Sequence, residues 1–84
     1  MKMKKDINVI IGANIRSART SAGVKAKALA AAIDTTPVSM TKYEKGTAAI
    51  SAARLALAAE FLHVPVSALL PSEKQIRDIK KAEE

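Results

Sequence analysis

Ile7, Ile11, Ile15, Ala18 and Ala22 fall at helical spacing and make one apolar face. They predict a first helix over residues 7–22, with Asp6 placed to cap its first turn and Gly23 to end it. A second apolar group, Leu29, Ala30 and Ile33, predicts a short alanine-rich helix over residues 26–33. Lys25 occupies its cap position without an acceptor oxygen to offer, at a cost of about 1 kcal/mol relative to serine or aspartate. Asp34 tolerates a left-handed conformation, and Thr35 and Thr36 complete a turn. Thr36 then caps a third helix with Pro37 in its first position, where the missing N–H is no loss, and Gly46 stops it. In that helix, residues 37–45, Met40 and Tyr43 face the core and Val38, Ser39, Thr41 and Lys42 the outside.

Ser51 opens a fourth helix reaching residue 62, with Leu55, Ala58, Ala59 and Leu62 as its inward stripe. Phe61 is expected in the core and Leu57 as an ordinary exposed leucine; the alternative is that the two mark a subunit contact. His63 ends this helix, Pro65 breaks the chain, and residues 66–70 give one more short helical turn before Pro71. Beyond it, Ser72 and Gln75 have capping-box spacing, and Ile76 and Ile79 form a thin apolar stripe. The tail reads either as a sixth helix or as a frayed end. The resulting expectation is a basic N-terminal arm (residues 1–6), an all-α domain (7–70) and a C-terminal tail (71–84).

Composition narrows the chemistry. With 84 residues, the core must come from economical helix-on-helix packing. No cysteine and a single histidine, His63, leave no disulfide framework and no expected metal site. Tyr43 and Phe61 are the only aromatics, and no glycine-rich phosphate loop is present, so neither an enzyme nor a cofactor is expected. The same poverty in aromatics argues against single-stranded RNA, which is read by stacking. No stretch approaches the ~20 apolar residues of a membrane span, and the polar-flanked start does not fit a signal peptide; a soluble, intracellular protein is expected. The net charge is +6. Residues 1–27 carry all of it: Lys2, Lys4, Lys5, Arg16, Arg19, Lys25 and Lys27 face Asp6 alone, and the remainder balances. A one-sided positive field of this kind suits a phosphate backbone.

Two short helices joined by a tight turn, residues 26–33 and 37–45, make a helix-turn-helix motif whose second member matches the DNA major groove in size. Around it lie Ile11-Gly12, Ile15-Arg16 and Arg19 before Gly23-Val24; Leu29-Ala30 and Ile33; Ser39-Met40 and Tyr43-Glu44-Lys45-Gly46. Ser51, Leu55, Ala59, Leu62-His63-Val64 and Leu69-Leu70 follow in order. Over residues 11–70 this spacing resembles the Cro/phage-repressor type of helix-turn-helix protein, the xenobiotic-response-element family.

The resemblance implies a five-helix, lambda-repressor-like DNA-binding domain, and a cytoplasmic protein of bacterial, phage or plasmid origin. It makes residues 37–45 the recognition helix, with Thr36, Val38, Ser39, Thr41 and Lys42 as candidate base contacts. Lys25, Lys27, Lys45 and Thr47 become candidate contacts to the DNA backbone. Arg19 and Glu44 become a structural ion pair between the first and third helices, with Arg19 not counted as a DNA ligand. Homodimerisation is implied by operator symmetry, with Val66, Ala68, Leu69, Ile76 and Ile79 as the candidate interface. The chain departs from the family pattern at Lys25-Ala26, where Ser-Gln is common, at Pro37-Val38, and at Asp34, where the turn usually has glycine. The function implied is a sequence-specific transcriptional repressor on a palindromic operator. The alternative is an antitoxin or adaptor whose tail binds a partner protein.

Overall fold

Ile15, Leu29, Ala30, Ile33, Met40, Leu55, Ala58, Ala59, Leu62 and Leu69 close together into one aliphatic core. The first four helices contribute only one to three of these side chains each, so none could bury its apolar face alone. The computed structural model describes residues 2–83, which form α1 (Lys2–Ser21), α2 (Ala26–Ala32), α3 (Pro37–Lys45), α4 (Ala52–Phe61), a 3₁₀ turn (Val66–Ala68) and α5 (Glu73–Glu83). α3 packs on α1 and α2, α4 on α2 and the 3₁₀ turn, and α5 on α1. No helix among the described residues is long and apolar enough to cross a membrane.

The four helices of the body end in the same way. Gly23, Asp34, Gly46 and His63 have φ of 70°, 58°, 77° and 57°. The next residue's amide then reaches back five positions: Val24 to Arg19 O at 3.0 Å, Thr35 to Ala30 O at 2.9 Å, Thr47 to Lys42 O at 3.0 Å and Val64 to Ala59 O at 3.0 Å. This paired closure satisfies carbonyls that a helix end would otherwise leave open, and it turns the chain sharply enough to pack the next helix. Helix starts are fixed by side chains. Thr36 Oγ1 accepts from Ser39 N and Ser51 Oγ from Arg54 N, each at 3.1 Å. Lys25 makes no such bond.

Several expectations require correction. α1 begins at Lys2, so Asp6 lies inside the helix and is no cap, and the basic segment 2–6 is helical rather than a separate arm. Its apolar spacing continues back to half-buried Met3, and α5 packs on the same helix. Ala22 lies past the helix end and is exposed. Phe61 is 41% exposed rather than core. It shares the flank of Leu57, one turn away, while the inward face of α4 and its cap is taken by Leu55, Ala58, Ala59 and Leu62. The turn at 66–70 is a 3₁₀ turn of three residues. The tail is the helix α5, opened by a reciprocal capping box: Ser72 N donates to Gln75 Oε1 at 2.8 Å and Gln75 N to Ser72 Oγ at 3.1 Å.

Candidate nucleic-acid interface

α3 owes its placement to contacts at its far end. Arg19, near the end of α1, donates from Nε to Glu44 Oε2 at 2.6 Å and from Nη2 to Glu44 Oε1 at 3.0 Å, while Nη1 reaches Val24 O at 3.0 Å. One planar guanidinium thus holds the last turn of α3 and the α1–α2 turn together. Both side chains are mostly buried, at 14% and 10% exposure. The hydrogen bonds that Arg19 donates to Glu44 push its pKa above the ordinary value; burial opposes this and the carboxylate's charge assists. A raised pKa on a base stabilises the fold below the ordinary arginine range and is lost only above it, so the clamp holds throughout neutral pH. With three donors engaged, Arg19 is a strut between helices.

Gly12 completes the crossing. A Cβ there would overlap the carbonyl oxygen of Tyr43 and stand 2.7 Å from that of Glu44, so α1 lies against the α3 backbone with no room for a side chain. On the other side, a Cβ on Gly46 would meet Val9 Cα at 2.5 Å, which seats the loop after α3 on α1.

With Met40 buried and Tyr43 packed on the core, α3 presents Val38, Thr41, Lys42 and Lys45 on its open side. Those positions recur at three and four residues and form one face. Val38 is 67% exposed, more than any other large apolar side chain among the described residues. The hydroxyls of the candidate site are partly committed. Thr36 Oγ1 donates to Ser39 Oγ at 3.1 Å while accepting from Ser39 N, Thr41 Oγ1 donates to Pro37 O at 3.0 Å, and Thr47 Oγ1 donates to Lys42 O at 3.3 Å. In this arrangement the three threonines can only accept further bonds, and Ser39 and Lys42 keep donors to offer. Lys25 and Lys27 are exposed at the start of α2, and Lys45 and Thr47 are exposed on either side of Gly46.

The candidate interface residues after α4 are not all available. Leu69 is fully buried in the core and cannot meet a partner. Its loop is tied down by Asn14 Nδ2, which donates to Leu69 O at 3.3 Å and to Leu70 O at 3.4 Å. Val66 and Ala68 are exposed, and Ile76 and Ile79 are half-buried on the helix that packs on α1. Asn14 and Arg54 are tying side chains that sequence reasoning missed. Both act on backbone carbonyls distant in sequence, Arg54 Nη2 donating to Asp34 O at 3.0 Å, and such bonds leave no spacing pattern to read.

A helix-turn-helix family model matches residues 15–69, from the buried Ile15 of α1 to the buried Leu69 that closes the core. The chain belongs to the Cro/C1-type helix-turn-helix family. Two uncharacterised HTH-type transcriptional regulators, from Sinorhizobium medicae and Rhizobium meliloti, are each 36% identical over 66 residues. The match takes in 79% of this chain and 48% of each relative, so the chain spans about half the length of the curated relatives it matches. Among solved structures, the DNA-binding domain of BldD is similar at 32% identity and a TM-score of 0.69, over 80% of this chain and 97% of that one. The clp gene regulator ClgR from C. glutamicum gives a TM-score of 0.71 over 93% of this chain and 94% of its own; at 23% identity, that likeness concerns the fold alone. This is a helix-turn-helix DNA-binding domain of the transcription-regulator type, with α2 and α3 as its motif.

Proposed function

We propose that the domain reads double-stranded DNA by laying α3 in the major groove, and that it does so as a homodimeric repressor on a palindromic operator. The observation that carries this reading is the open face of α3: an apolar Val38 beside Thr41, Lys42 and Lys45, on a helix clamped at its far end by Arg19 and Glu44. Val38 suits a thymine methyl, Lys42 the O6 and N7 acceptors of guanine, and Ser39 and Thr36 the base edges nearest the helix start. Lys45 at the end of that face, with Lys25, Lys27 and Thr47 outside it, suits the phosphates. A twofold dimer would place two copies of α3 about 34 Å apart, one helical turn of DNA.

The apolar surface left open by the fold supplies the dimer contact. Leu57 and Phe61 lie one turn apart on α4, which packs on the 3₁₀ turn carrying Val66 and Ala68. The experiment is selection of bound duplexes from a random library, followed by titration at increasing salt. A recovered palindrome, bound less tightly as salt rises, supports the reading; no binding at low salt, or an asymmetric site bound by one copy, defeats it or its dimer. Repression is tested by a promoter reporter carrying the selected site. Lys42→Ala should lower affinity for the selected duplex by about 1–3 kcal/mol if it meets a base, and relax preference at one position of each half-site.

A second reading puts a partner protein on α5, where Ile76 and Ile79 keep part of their surface open. Recovery of one stoichiometric partner without DNA, abolished by Ile79→Asp, would support it.

A further inference from the structure

The turn between α2 and α3 is held from outside as well as by its own bonds. Asp34 stands in the left-handed conformation at its head, and the amides of Asp34 and Thr35 close onto Ala31 O at 3.3 Å and Ala30 O at 2.9 Å. The Asp34 carbonyl is taken by another helix. Arg54, in the first turn of α4, donates to it from Nη2 at 3.0 Å across 20 residues of sequence. The backbone of Arg54 is itself fixed, since its amide donates to the Ser51 cap at 3.1 Å. Its Nε is buried without a partner among the described residues. An arginine serving only as surface charge would keep its guanidinium in water and leave no buried donor unpaired.

We infer that Arg54 is a positioning residue of the reading head: it holds the Asp34 carbonyl, fixes the turn, and so sets the direction in which α3 leaves α2, without itself touching DNA. The inference rests on α3 being the recognition helix. Thr36, Val38 and Ser39 follow the held carbonyl by two to five residues, so a tilt released at Asp34 moves the start of α3 most. Base readout depends on angstrom-scale placement of those side chains, whereas attraction to phosphates does not. Loss of the tie therefore lowers discrimination, leaving general affinity for DNA intact.

The test uses the whole chain, a duplex selected by the wild type and a scrambled duplex of equal length, well below the melting temperatures of all variants. Arg54→Met should weaken binding to the selected duplex roughly threefold to thirtyfold. Binding to the scrambled duplex and the dependence of affinity on salt should stay as in the wild type. Arg54→Lys, which keeps the charge and one donor for the same carbonyl, should lie between. A phosphate ligand would behave differently: both duplexes would weaken and the salt slope would fall by about 1. That outcome, or equal affinities in Arg54→Met and wild type, overturns the inference while leaving α3 as the recognition helix. A wild type that binds no duplex overturns both. If Arg54→Met does not fold, amide exchange in Arg54→Lys decides: Thr35 should exchange faster than in the wild type while Val64, in the equivalent closure after α4, does not change. Equal protection at both positions overturns the inference.

Discussion

Glu44 converts an arginine on a basic surface into a structural tie. Removing the carboxylate leaves a mostly buried guanidinium with only Val24 O as a protein partner, and such stranded charges cost more than the intact pair contributes. Glu44→Ala should therefore lower stability by roughly 3 kcal/mol, or the melting temperature by about 12–24 °C for a domain of this size. Thermal unfolding followed by circular dichroism checks it, and an unchanged melting temperature would contradict the clamp. The residues at the ends of α3 were legible from local chemistry alone: a threonine cap, a proline in the first position and a glycine at the stop each act within a turn of the chain. The Arg19–Glu44 pair was legible only through resemblance to a family, since the two are 25 residues apart. Arg54 was not legible at all, because its partner is a carbonyl that every residue type possesses.

Between elements, the decisive contact is the crossing of α1 over the end of α3. Gly12→Ala sets two effects against each other. Alanine favours the helical state by about 1 kcal/mol over glycine, but its methyl group would overlap main-chain oxygens of α3, which cannot step aside without moving that helix. The overlap should win, giving a net loss of about 2 kcal/mol or more, measurable by chemical denaturation. A gain in stability would mean that the crossing is looser than described. The same scale explains what local reading misplaced. Capping signals put the start of α1 at Asp6, but the earlier turns belong to a helix that α5, an element from the opposite end of the chain, packs against. Leu69 belongs to the core for a similar reason: Asn14 holds its loop from α1, whereas the sequence alone placed it with the exposed Val66 and Ala68 in a candidate dimer interface.

At the scale of the molecule, the body measures 40 × 23 × 20 Å, with α1 alone about 30 Å long. The basic excess of residues 1–27 spreads over α1 and the start of α2, so Lys2, Lys4 and Lys5 enter the field of the whole domain from a helix. The open apolar residues Leu57 and Phe61 lie on α4, a helix that supplies none of the candidate DNA contacts. If they form the dimer contact, Phe61→Ser should shift sedimentation from dimer towards monomer and weaken operator binding steeply, while leaving the stability of dilute protein within about 1 kcal/mol of the parent. Loss of operator binding with no change in sedimentation would place the dimer contact elsewhere.

The four left-handed helix stops also bear on how robust the domain could be made. Two are glycines, for which this conformation is free; Asp34 and His63 adopt it with a side chain attached. Aspartate is among the residues that tolerate it best, so Asp34→Gly should be close to neutral. His63→Gly, on a turn that carries none of the candidate DNA contacts, should raise the melting temperature by about 2–8 °C, the relief of backbone strain exceeding the added freedom of the unfolded chain. A thermostable form of this domain is thus within reach of one substitution that leaves the DNA-reading chemistry untouched.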